Sequence, residues 1–123
     1  MTRKPMKRTR TTNGAFDKAT KDLADARAGH RCEVCGVGPI EQHHHRMPRR
    51  MGGSRAPQVS SVANCCPACA PCHRRIESDR EWAVSNGYLV VGSWLPTNTA
   101  MVVDGCRVFL TLDGRYEPVP VEA

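Results

Sequence analysis

Aromatic side chains are scarce: two Trp, two Tyr and two Phe in 123 residues. Burial of large rings therefore cannot by itself hold a domain of this size together. Long apolar runs are missing as well. No segment approaches the roughly 18–20 apolar residues of a membrane span, and the charged start of the chain leads into no apolar stretch of the kind an export signal requires. These absences predict a cytoplasmic protein with no membrane contact. Acids are absent from two stretches. Residues 1–10 carry Arg3, Lys4, Lys7, Arg8 and Arg10 with no Asp or Glu. Between Glu41 and Glu77 stand Arg46, Arg49, Arg50, Arg55, Arg74 and Arg75, again without an acid. With a net charge of +6, this distribution points to a polyanion, and nucleic acid is the natural one.

Cysteine, by contrast, is abundant. The seven are Cys32, Cys35, Cys65, Cys66, Cys69, Cys72 and Cys106, an odd number that argues against complete disulfide pairing. Cys32/Cys35 and Cys69/Cys72 are two C-x-x-C pairs, the spacing of a closed tetrahedral zinc site with four thiolates. The second pair has a competing register, because Cys66 and Cys69 are also two residues apart; Cys69/Cys72 is favoured because it fixes His73 against the metal-bound turn. Cys65 and Cys106 then read as small hydrophobes. A structural metal would offset part of the shortage of apolar burial.

Along the chain, residues 1–14 contain almost nothing to bury and predict a flexible basic arm. From Ala15 to Ala28, Phe16, Ala19, Leu23 and Ala26 recur at helical spacing, which predicts a short amphipathic helix stopped near Gly29. Gly36 after Cys35 lets the backbone turn back over the metal. Ile40–Arg46 reads as a strand carrying His43, His44 and His45, Met47–Ser61 as a surface loop, and Val62-Ala63-Asn64 as a second short strand. A helix follows from Cys72-His73 to about Ser85, ended by Asn86-Gly87, with His73 and Glu77 on one face. Tyr88–Val91, Ala100–Val103 and Arg107–Leu112 are β-rich, with turn signals at Asp104-Gly105 and Asp113-Gly114.

The fold class is thus α+β: a ββα unit with a four-cysteine zinc site, an N-terminal helix and a C-terminal antiparallel β appendage. Residues 15–123 form one domain, with the core over about 32–85 and the appendage over about 88–118.

The histidines give this unit its chemistry, since imidazole can take a proton from water or hold a divalent cation. His44-His45-x-x-Pro48, then Asn64, then His73 directly after the C-x-x-C of Cys69 and Cys72, resembles the motif of HNH endonucleases with a ββα-metal core. Arg46, Pro48, Arg49, Met51-Gly52-Gly53 and Ile76-Glu77 add a similarity to the small HNH proteins of bacteriophages. The resemblance implies His45 as general base, His44 and His73 as ligands of a catalytic cation, and Glu77 as a further ligand. Asn64 would orient the base loop or help bind the metal. Many members carry Asp where this chain has His44, and imidazole suits zinc, nickel or manganese better than magnesium, so Mg, Mn, Ni and Zn all stand as candidates. Arg46, Arg49 and Arg50 are expected phosphate contacts.

Duller roles stand beside these. His43 is expected to face away from its neighbours on the strand, and Glu77 has Arg74 and Arg80 as alternative partners.

The activity implied is metal-dependent hydrolysis of DNA phosphodiesters by a monomer, leaving a 5′-phosphate and a 3′-hydroxyl. Two other readings share the residues: a phage DNA-packaging accessory acting with terminase in the host cytoplasm, and a non-catalytic zinc-binding nucleic-acid module. The module would have no need of His45 or Asn64.

Overall fold

In the computed structural model, which describes residues 14–48, 57–92 and 94–120, Asp17 starts the first helix. Its side chain accepts a hydrogen bond from the backbone N–H of Thr20 at 2.8 Å, satisfying one of the donors a helix start leaves open. Helix α1 spans Lys18–Arg27 and gives way at Ala28, just before Gly29. Of the stripe expected to face inward, only Phe16 is buried. Ala19, Leu23 and Ala26 are exposed, whereas Ala24 and the preceding Phe16 are buried. Polar anchors turn the helix instead: Asp25 bonds His43, and Arg27 is held by Glu33 and two backbone carbonyls. Alanine methyls contribute too little area to compete with such bonds.

Strand β1, Gln42–His45, pairs antiparallel with β2, Cys65–Ala68, in a register that sets His44 opposite Cys66 and His45 opposite Cys65. The second strand therefore lies just beyond its expected place, and Val62–Asn64 forms a turn of 3₁₀ helix. The cause is local. Asn64 is buried, and its side chain bonds the backbone of Met47 and Val59, which bends the chain before the ladder begins. Another 3₁₀ turn covers Pro57–Ser60. Arg49 and Arg50, the rest of the expected loop and the basic arm up to residue 13 lie outside the described residues. Gly14 was expected to end that arm, yet it is buried and belongs to the folded unit.

The long helix is divided. Helix α2 runs Ala70–Ser78, with a proline in its first turn, and α3 runs Arg80–Ser85. Asp79 separates them at φ −122° and ψ 77°, and its carboxylate caps α3 at Trp82 N, 3.2 Å away. Tyr88–Val91 forms no strand, although the Val90 N–H donates to the Arg46 carbonyl at 2.8 Å. The appendage is a three-stranded antiparallel sheet of β3 (Met101–Val103), β4 (Cys106–Leu110) and β5 (Tyr116–Pro118). A two-residue turn at Asp104-Gly105 joins the first two strands with φ of 54° and 79°, the left-handed pair that an Asp-Gly sequence favours.

The main core gathers Cys66, Ile76, Ala83, Tyr88, Met101 and Leu110, so the appendage packs behind the helix pair. No helix among the described residues is long and apolar enough to cross a membrane.

Candidate metal centre and histidine site

Two turns build the metal centre. Cys32 and Cys35 lie on the turn after α1, and Cys69 and Cys72 flank the start of α2, so one helix start and one knuckle face each other. The ligand atoms of all four lie within 4.8 Å of one another, and Cys35 Sγ is 3.9 Å from Cys69 Sγ. Tetrahedral zinc with thiolates at ~2.3 Å holds its sulfurs about 3.8 Å apart, so the donor set suits that ion. Backbone donors prepare it. Gly38 N–H points at Cys35 Sγ and Cys35 N–H at Cys32 Sγ, both at 3.4 Å, and the Gly38 bond leads in holding the Cys35 thiol down to about 6. Burial pushes the Cys72 thiol up, and the neighbouring thiols of Cys69 and Cys32 add to it, because each sulfur opposes a second negative charge beside it. A divalent cation reverses that opposition. The fit is close: a Cβ at Gly38 would stand 3.0 Å from Cys69 Cβ and 3.1 Å from its sulfur.

Cys66 takes no part. It is fully buried in the main core opposite His44, which settles the register of the second pair in favour of Cys69 and Cys72. Cys65 is a buried hydrophobe as expected, but Cys106 is exposed.

Alternation along β1 sends the three histidines to different partners. His43 and His45 turn toward α1: His43 Nε2 is 2.7 Å from Asp25 Oδ1, while the His45 ring stacks on Phe16 and its Nε2 is 2.7 Å from the Gly14 carbonyl oxygen. His44 turns the other way. Its ring is buried 5.2 Å from the His73 ring of α2, and its Nε2 is 2.8 Å from the Tyr88 carbonyl oxygen. Carbonyls only accept, so in His44 and His45 alike Nε2 is the N–H, and the lone pair of the neutral ring sits on Nδ1. Burial, reinforced by the charges of His73, His45 and Arg46, pushes His44 down to about 4. It is thus a neutral imidazole at physiological pH, the form that binds cations.

His43, His44, His45, His73, Glu77 and Arg80 border one open cavity of about 510 Å³. Glu77 Oε2 is 3.7 Å from His73 Nε2, and among the described residues it forms no salt bridge with Arg74 or Arg80. The structure therefore brings the two candidate ligands from strand and helix together. Among the described residues, however, the four cysteines are the one group of three or more such ligands placed closely enough for a single ion.

One sequence expectation changes and another narrows to one of its alternatives. Arg46 is no phosphate contact: it is completely buried, and its guanidinium donates to the carbonyls of Gly87, Ala63, Pro96 and Thr99 at 2.7–3.0 Å. Just past the end of β1, it turns into the core and cannot reach a nucleic acid. Asn64 spends its amide on backbone. Met47 N–H donates to its Oδ1 at 2.6 Å, while its Nδ2 donates to Met47 O and Val59 O, so it orients the loop after β1 and is not a metal ligand.

Sequence reasoning missed Asp25, Gly14 and Phe16 as partners of the histidines, since contacts across 18 to 31 positions leave no local pattern. It also missed Glu33 in the Cys32–Cys35 knuckle, which forms a buried bidentate pair with Arg27 at 2.7 Å and accepts from Tyr116 OH. A glutamate between two metal cysteines was the one available signal. Comparison of the chain with protein-family models, with curated proteins and with solved structures finds no match.

Proposed function

We propose that this chain is a metal-dependent endonuclease of the HNH type that hydrolyses DNA phosphodiester bonds, with the four-cysteine centre as its structural zinc site. The observation that carries the reading is the pairing of His44 on β1 with His73 on α2, ring centroids 5.2 Å apart, at a cavity that His45 also borders. A hairpin followed by a helix supplies that pair, and Asn64 ties the hairpin's loop.

In this reading His44 and His73 hold a divalent cation through imidazole nitrogens, with Glu77 within reach of His73. The cation would neutralise charge on the phosphate and the leaving oxygen. His45 would accept the proton of the attacking water at Nδ1, its Nε2 being engaged by the Gly14 carbonyl. Arg80 borders the cavity and takes the phosphate-holding part that Arg46 cannot play. Arg49 and Arg50 keep their place as phosphate contacts on sequence grounds. The surrounding excess of arginine matches a polyanionic substrate.

One observation favours a second reading, a zinc-binding nucleic-acid module without catalysis: His44, His73 and Glu77 do not stand as a ready three-ligand set. A plasmid assay separates the two. Purified protein is incubated with supercoiled DNA alone and with Mg, Mn, Ni or Zn. Cleavage is expected with at least one added cation, lost in His45→Ala by about 100-fold or more at every metal concentration and partly restored by excess metal in His44→Ala. DNA binding without cleavage under all conditions would establish the module.

A further inference from the structure

The candidate base has partners outside the hairpin and helix that make up its motif. We infer that Gly14 and Phe16, in the segment entering α1, are the positioning residues of His45, the Gly14 carbonyl fixing its tautomer and the Phe16 ring fixing its plane. This rests on the reading of His45 as the base.

The geometry is specific. His45 Nε2 lies 2.7 Å from the Gly14 oxygen, and the imidazole lies over Phe16 with centroids 3.9 Å apart and planes 13° from parallel. A backbone carbonyl can only accept, so it selects the Nε2–H form and assigns the lone pair to Nδ1. The stacked ring removes rotation about the second side-chain torsion, leaving one orientation of that lone pair. Phe16 is itself a fixed support. It is 7% exposed and packs with Ala24 of α1, Val62 and Cys65, the last being the residue paired with His45 across the ladder. Arg27 then pins α1 to that wall by donating to the carbonyls of Val62 and Cys65 at 2.9 and 2.6 Å.

A general base acts only when its lone pair points at the proton it takes, and displacement by about 1 Å can cost roughly 100-fold. The N-terminal segment therefore belongs to the site although no motif includes it.

The test compares Phe16→Leu and Phe16→Tyr with wild type in plasmid cleavage, together with the nitrogen-15 spectrum of the His45 ring, which distinguishes the two tautomers without any activity. The spectrum is expected to show a protonated Nε2. Phe16→Leu should lower kcat by roughly 10- to 100-fold at unchanged KM and unchanged zinc content, and Phe16→Tyr should recover most of it. Should Phe16→Leu fail to fold, a pair of truncations carries the same question: a chain beginning at Ala15 lacks the Gly14 carbonyl, and its kcat should fall at least several-fold below that of one beginning at Asn13. A protonated Nδ1 in wild type, or equal kcat in each pair, would overturn the inference. A wild-type protein that cuts no DNA with any cation, yet shows the protonated Nε2, would instead overturn the nuclease reading and leave the contact standing.

Discussion

Arg46 illustrates how far a single side chain's role depends on the direction it points. As a sequence position it sits beside the histidines in a stretch without acids; as a structural position it is a buried cation whose charge is spread over four carbonyl oxygens. Burial pulls its guanidinium down to about 10, which still leaves it charged at neutral pH. No carboxylate pairs with it among the described residues, so the carbonyl dipoles take the counter-ion's place. The carbonyls come from Ala63 in the turn before β2, Gly87 just after α3, and Pro96 and Thr99 before β3, so one guanidinium fastens the hairpin to the appendage. Arg46→Met is expected to lower unfolding stability by about 3 kcal/mol or more, because several buried acceptors lose their donor at once. Chemical denaturation checks this. DNA affinity measured well below the denaturation midpoint should stay close to wild type, and a loss of affinity without a loss of stability would return Arg46 to the surface role its sequence context suggests. Asn64 has the same character on a smaller scale, since all of its bonds go to backbone of the loop it closes.

At the scale of elements, the four-cysteine centre was legible because two C-x-x-C pairs state both the ligand type and the turn that presents it. The ββα order was legible as well, from the sequence of strand, loop and capped helix. What was not legible has identifiable causes. The second strand, Cys65-Cys66-Pro67-Ala68, is a buried run containing a proline, which ordinarily argues against a strand, and Cys66 stood as an alternative metal ligand. Asp79 divides the helix although nothing in the apolar spacing of Ile76 and Ala83 marks a break there. The inward face of α1 was misread because Ala19, Leu23 and Ala26 match the helical period while ion pairs set the orientation. The metal centre joins these elements, so its loss should release them together. Purified protein is expected to contain one zinc per chain by elemental analysis, and Cys72→Ser to abolish the cooperative unfolding transition. Structural zinc contributes on the order of 10 kcal/mol in small domains, as much as a typical domain's whole margin of stability. A well-folded protein without zinc would contradict this assignment.

Across the whole molecule, the parts meet at a buried polar junction. Arg27 of α1, Glu33 of the metal knuckle and Tyr116 of β5 form one network, with Arg27 also bonded to the turn before β2 and to β2 itself. The N-terminal helix, the metal centre, the hairpin and the appendage are thereby held in one arrangement, although few large aromatic side chains are available to do it by packing. This rigidity matters for the basic arm, whose sequence enters the fold at Gly14, against His45. Residues 1–10, outside the described residues, carry five positive charges and no acid. Each phosphate neutralised by a cationic side chain releases counterions, and the logarithm of the binding constant then falls with the logarithm of salt concentration by roughly 0.9 per contact on duplex DNA. Deleting residues 1–12 should therefore weaken DNA binding at low salt and flatten that dependence by up to about 4.5 units if all five charges meet phosphates. Titrations of a labelled duplex at four or more salt concentrations measure the slope directly. An unchanged slope in the truncated protein would mean that the arm stays off the DNA, and would place the whole electrostatic footprint on the folded unit and its loop arginines.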